Sequence, residues 1–246
     1  MNNHRILVAG IVFFAACNIT ANAQIDLGIK AGLSIPNLSS GSTSNPLNSG
    51  YSSRLGPDGA VFADFHFSDM FSLQPQIEYS SQGGKKNGMQ AFPNTMGVGP
   101  TYLYANYNSE TKLNYLLIPI MAKFGHDLGM SNFRAYVMAG PYIGFLLAAK
   151  QVNKGSSPIY ADAAGQQQLS PAVSFDTTQN VKSSIQSMNY GIEGAIGVSY
   201  ALGENGHVFF EVGGNYGFVN IQKSSADGQN KTGAASILVG YSYQIK

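Results

Sequence analysis

The chain has 246 residues, with 14 Lys+Arg against 13 Asp+Glu and 11% charged residues, well below the roughly 25% of soluble domains. This near-neutral balance argues against nucleic acid as a partner, because such binding needs a basic stripe. The lone cysteine, Cys17, excludes a disulfide framework.

From the amino terminus, Met1–Ala23 reads as a secretory signal peptide. His4 and Arg5 open it, Ile6–Ala16 is apolar, and Ala21-Asn22-Ala23 forms an A-x-A cleavage site before Gln24. The apolar run is too short for the roughly 20 residues of a spanning helix. A competing reading makes Cys17 a lipidated cysteine after Ala15-Ala16. Phe14 stands where Leu is preferred and the A-x-A site follows at once, so cleavage after Ala23 is the stronger expectation. The expected division is therefore 1–23 signal peptide and 24–246 a single outer-membrane β-barrel domain. No later segment has the length and apolarity of a transmembrane helix.

Eight segments then alternate with a period of two. They cover 25–33, 59–68, 71–82, 112–124, 133–147, 187–202, 207–219 and 233–245. In the first, Leu27, Ile29 and Leu33 share one face and Asp26, Lys30 and Gly32 the other. In the third, Leu73, Ile77 and Tyr79 oppose Gln74, Gln76 and Glu78. In the sixth, Ile192, Ile196 and Val198 oppose Glu193, Gly197 and Ser199. The fourth is the least decided, because its inward set (Tyr115, Leu117, Pro119, Met121, Lys123) is itself apolar. Pro75, Pro119 and Pro141 fall inside segments and each removes a ladder donor, which predicts local irregularity there.

The connections have a rhythm. Long polar stretches at 34–57, 84–111, 149–185 and 222–232 alternate with tight turns at Ser68-Asp69-Met70, His126-Asp127-Leu128-Gly129 and Gly203-Glu204-Asn205-Gly206. That pattern belongs to a barrel threaded through a bilayer, with long loops outside and short turns in the periplasm. The expected fold is all-β, an eight-stranded antiparallel up-and-down transmembrane β-barrel, integral in the outer membrane with both termini periplasmic. Eight strands enclose an interior that side chains just fill. Lys30, Lys123 and Arg134 should therefore pair with Asp64, Glu78, Glu193 or Glu211, since unpaired buried charge is expensive. Loop 84–111, with Phe92, Tyr102, Tyr104 and Tyr107, is placed to fold back as extra strand above the membrane.

Tyr115-Leu116-Leu117-Ile118-Pro119, Gly140-Pro141-Tyr142-Ile143-Gly144, Tyr190-Gly191-Ile192-Glu193-Gly194 and Leu238-Val239-Gly240-Tyr241 together resemble the outer-membrane β-barrel family called porin-like or PorT-like. That family is typical of Gram-negative bacteria, and the resemblance runs from Gly28-Ile29-Lys30-Ala31-Gly32 onward. It implies a membrane barrel, with protein secretion as a role held by one member. Two positions depart from the pattern. Leu117 stands where relatives carry Glu, and the chain ends Tyr243-Gln244-Ile245-Lys246 without a terminal Phe. Tyr241, Tyr243 and Ile245 keep the alternation that barrel-insertion machinery reads.

No catalytic, cofactor-binding or metal site emerges, and no enzyme activity is expected. A Ser/His/Asp grouping of Ser68, His66, Asp64 and Asp69 lies along one strand end and turn, where interfacial polarity explains it better than convergent catalysis. The histidines have no metal-ligand spacing. The function expected is a non-enzymatic membrane element, structural or loop-binding, with a lumen plugged by side chains. The alternatives are a narrow porin-like pathway for small solutes or a component of a protein-secretion system. Partners expected are outer-membrane lipid, the insertion machinery and an extracellular or secretion-system protein met by the loops, with no nucleic acid.

Overall fold

The protein is described by a computed structural model over residues 24–40, 45–95, 97–129, 132–224 and 228–245. The signal-peptide and Cys17 expectations lie outside those residues. Eight long strands build the framework: β1 (Ile25–Ser40), β2 (Gly56–His66), β3 (Phe71–Lys86), β4 (Asn108–Asp127), β5 (Phe133–Lys154), β6 (Met188–Leu202), β7 (Gly206–Gly217) and β8 (Asn230–Ile245). Each pairs antiparallel with the next, and β8 returns to β1 in an unbroken register from Ile25↔Ile245 to Ser40↔Asn230. The ring is closed, so among these strands no edge is left unpaired.

The two faces follow the sequence alternation. Outward side chains such as Ile29 (62% exposed) and Ile196 (64%) look away from the barrel, whereas Gln74 (0%) and Glu211 (2%) are sealed inside it. Aromatic rings ring the outer surface near both ends, as expected at bilayer interfaces. Phe71 packs on Phe67 and Phe124 at the short-turn end, and Phe133 on Tyr200. Phe218 lies against Tyr190 and Tyr216 toward the long loops.

The strands run further than their hydrophobic pattern. β1 continues to Ser40, β3 to Lys86 and β5 to Lys154, while β4 begins at Asn108. Apolar alternation ends where lipid ends, but the backbone ladder continues into water with polar side chains. The long connections therefore shrink to 41–55, 87–107, 155–187 and 218–229. Within the second, Met89–Pro93 pairs with Tyr102–Asn106 as a hairpin above the barrel, the folding-back that its tyrosines suggested. In the third, Thr177–Asn180 adds to β5, and Ser156–Ser157 pairs with Val173–Ser174.

Pro75, Pro119 and Pro141 each leave a two-residue gap in one ladder. Pairing of β2 with β3 skips Gln74 and Pro75, that of β3 with β4 skips Ile118 and Pro119, and that of β4 with β5 skips Gly140 and Pro141. The missing N–H faces one neighbour only, so the other ladder of each strand persists.

The abundant inward glycines have a packing reason. Phe62, Tyr136, Tyr142 and Phe209 each lie over the glycine directly across the ladder: Gly28, Gly197, Gly191 and Gly240. A Cβ on Gly28 would stand 2.2 Å from the Phe62 ring, and one on Gly197 2.4 Å from that of Tyr136. The absent side chain is what lets a large ring lie flat inside a narrow lumen.

Candidate functional site

Three layers divide the interior. At the short-turn end a polar cavity of about 630 Å³ opens, bordered by Asp26, Asp64, His66, Lys123, Arg134 and His207. Asp26 and Asp64 face each other across the β1–β2 ladder. His66 Nε2 sits 3.3 Å from Asp26 Oδ2 and 3.9 Å from Asp64 Oδ2. Lys123 Nζ binds Asp64 Oδ2 at 2.8 Å and Gln74 Oε1 at 3.2 Å, with its ammonium over the Tyr136 ring. Ser68 also borders the cavity, but its Oγ accepts the backbone N–H groups of Met70 and Phe71 and so shapes the turn. Among the described residues no group of His, Cys, Asp and Glu is arranged to hold a metal ion.

The middle layer is a charged belt. Lys30 Nζ donates to Glu211 Oε2 at 2.9 Å, and Tyr136 Oη donates to Glu211 Oε1 at 2.9 Å. Glu78 and Glu193 lie within side-chain hydrogen-bonding range of each other and within the field of Lys30. Asp58 accepts from Ser80, whose Oγ also accepts from Gln82; Gln82 in turn reaches Asn215. Lys30 and Lys123 thus meet the partners the sequence proposed. Arg134 does not: it bridges to Asp127 at 2.9 Å and donates to the Asp69 carbonyl, because its position beside the turn brings those groups nearer than the belt.

The upper layer is apolar. Leu113, Tyr115, Leu117, Tyr142 and Leu146 point inward and pack with Leu38, and the loops send in Ile185 and Ile221, the latter 1% exposed. The inward face of β4 is therefore apolar, and Leu117 is part of this cluster. The apolar inward set of β4 was the sequence signal for it; Ile185 and Ile221 carried none of their own.

Above this cluster the four long loops converge on a smaller pocket of about 270 Å³. Tyr51 comes from the first loop, Lys86 from the top of β3, Gln90 from the hairpin, Gln151 from β5, and Gln222 from the fourth loop. Lys86 donates to the Leu47 carbonyl at 2.6 Å and lies 4.3 Å from the centroid of the Tyr51 ring. Burial lowers the Lys86 ammonium to about 8 and, with Tyr107 nearby, raises the Tyr51 hydroxyl to about 12. Beside the pocket, Arg54 binds Glu110 at 2.8 Å as well as Ser81 and the Gln82 carbonyl, and Lys112 also reaches Glu110. Burial alone would raise Glu110, but the two cations hold it below its ordinary value.

The near-zero net charge, +1, hides a separation along the barrel axis. At the long-loop end the strands carry Lys85, Lys86, Lys112, Lys150, Lys154 and Lys231, and the loops add Arg54, Lys182 and Lys223. The acids in those stretches are Glu110, Asp162, Asp176 and Asp227, the last outside the described residues. The belt and the short-turn end hold the remaining carboxylates. A basic crown sits on an acidic barrel.

A closed eight-strand ring with a lipid-facing apolar band and aromatic girdles defines a transmembrane β-barrel. Residues 18–223 match the family model of the outer membrane protein beta-barrel domain, and the chain belongs to that family. It is thus an integral protein of the outer membrane. Among solved structures it is similar to Neisserial surface protein A (NspA), with 16% identity, TM-score 0.42, and coverage of 89% of this chain and 97% of that one. It is also similar to Ail, the attachment invasion locus protein of Yersinia pestis, solved with the heparin analogue sucrose octasulfate, with 10% identity, TM-score 0.38, and coverage of 90% and 99%. No curated protein matches the chain.

Proposed function

We propose that this is a non-enzymatic barrel with a lumen closed to solutes, and that its long-loop crown is a binding surface displayed outside the cell. One observation carries the reading: Ile185 and Ile221 reach down from two loops into the apolar cluster of the lumen. That contact plugs the barrel and holds the loops in one arrangement, and a preorganised surface loses less entropy on binding. Crosslinking with mass spectrometry in native outer membranes tests it, comparing the wild type with a chain lacking most of 155–187. Partner crosslinks should vanish while the barrel still inserts and resists heat in detergent. Unchanged crosslinks with falling solute uptake would favour a narrow pathway, the reading supported by the open cavity at the short-turn end. A steady planar-bilayer conductance of general-porin size would overturn the closed lumen.

A further inference from the structure

The pocket beneath the crown has a chemistry that the packing of the barrel does not require. Its borders come from all four long connections and the tops of β1, β3, β4 and β5, and its floor is the apolar plug. Around it stand neutral hydrogen-bonding groups, the amides of Gln90, Gln151 and Gln222 and the hydroxyls of Ser109, Thr111 and Ser184, with Gln90 Nε2 donating to the Tyr107 carbonyl, Gln151 Nε2 to Ser109 Oγ, and Gln222 Oε1 accepting the Asn230 N–H. Lys86 is the charged side chain among its described borders. Glu110, the carboxylate of the neighbouring strand, is already held by Arg54 and Lys112. What Lys86 has instead is a backbone carbonyl and the face of a tyrosine. A buried ammonium without a carboxylate lacks its best partner, and the surrounding crown adds positive potential that draws anions toward it.

We propose that this pocket is a binding site for a small anionic, hydroxyl-rich group of about monosaccharide size, with Lys86 as its counter-charge. The carboxylate, phosphate or sulfate takes the ammonium, and the amides and hydroxyls take the ring hydroxyls. The volume of about 270 Å³ admits one such unit, free or at the end of a longer chain. The inference rests on the loop-binding reading and specifies the chemistry recognised.

Calorimetry on the full-length protein in detergent micelles, with glucuronate, glucose 6-phosphate and glucose as probes, tests it. The two anions should bind and glucose should not. Lys86→Met should weaken them at least about tenfold, as loss of a charged hydrogen bond predicts, and Lys86→Arg should recover part of the loss. Lys154→Met, in the crown but not among the residues that line the pocket, should change affinity by less than about twofold, the effect of a screened surface charge. Heat-resistant migration in detergent gels confirms that each variant is folded. Equal binding of glucose, no binding of either anion, or equal losses in the Lys86 and Lys154 variants would sink the proposal. The two readings fail separately. If wild type binds neither anion but loop-dependent partner crosslinks persist, the pocket falls and the crown stands. If loop deletion changes no crosslinks but the anions bind through Lys86, the crown reading falls.

Discussion

At the scale of single residues, the charged belt gives the sharpest expectation. Glu211 accepts from Lys30 and Tyr136 at once, with Glu78 and Glu193 close by. Lys30→Met removes the cation that offsets those acids and should destabilise the barrel by about 3–5 kcal/mol, as breaking a buried pair does. The double variant with Glu211→Gln should recover part of that, because it removes the stranded charge as well. Urea unfolding in lipid vesicles measures both. Lys86 gives a pH effect. Its ammonium is lowered to about 8, so between about pH 8 and 10 the folded protein binds fewer protons than the unfolded chain, and stability rises with pH. The groups facing it are the Leu47 carbonyl and Tyr51, with Tyr107 beyond. Tyr51, raised to about 12, works the other way above pH 10, where the unfolded chain loses its proton first. Lys86→Met should abolish the rise, which is on the order of 1–2 kcal/mol after solvent screening. Unfolding midpoints at pH 7, 8 and 9.5 check it.

At the scale of elements, the glycine–aromatic pairs are testable one ladder at a time. Gly197→Ala forces the Tyr136 ring off its seat and with it the hydrogen bond to Glu211, so a loss of about 1–3 kcal/mol is expected from overpacking. Gly194→Ala, whose added Cβ would meet nothing nearer than 3.5 Å, should be close to neutral. Equal unfolding midpoints for the two variants would refute this account. Elements were also where the sequence was most and least legible. Strict alternation made the lipid and lumen faces readable in every strand but the fourth, Leu27 and Ile29 against Asp26 and Lys30 being typical. The ladder gaps were legible too, because proline states its missing donor. Strand ends were not: Asn37 or Gln151 look alike in a loop and in a ladder standing in water. The plug and the pocket were legible only in part. Tyr115 and Leu117 announced an apolar lumen face, but Ile185, Ile221 and Lys86 become neighbours only when the barrel closes.

At the scale of the whole molecule, alternation of long and short connections puts both termini and the short turns at one end. We expect that end to face the periplasm. Cysteines at Asn94, Gly165 and Gly228 should react with a membrane-impermeant maleimide on intact cells, and one at Asp69 should not. The reverse pattern would invert the topology. Net charge was the least informative whole-chain number, since neutrality here is the sum of a basic end and an acidic remainder.

That separation has a consequence for the history of each copy. To turn over in the bilayer, the barrel would have to drag the crown through hydrocarbon, with Lys85, Lys112, Lys150, Lys154 and their neighbours. Each lysine at the midplane costs about 2–4 kcal/mol, so several together set a barrier that thermal motion does not cross. Orientation is therefore decided once, at insertion, and retained for the life of the protein. In reconstituted vesicles the outward-facing fraction records how the protein entered, and later incubation does not change it.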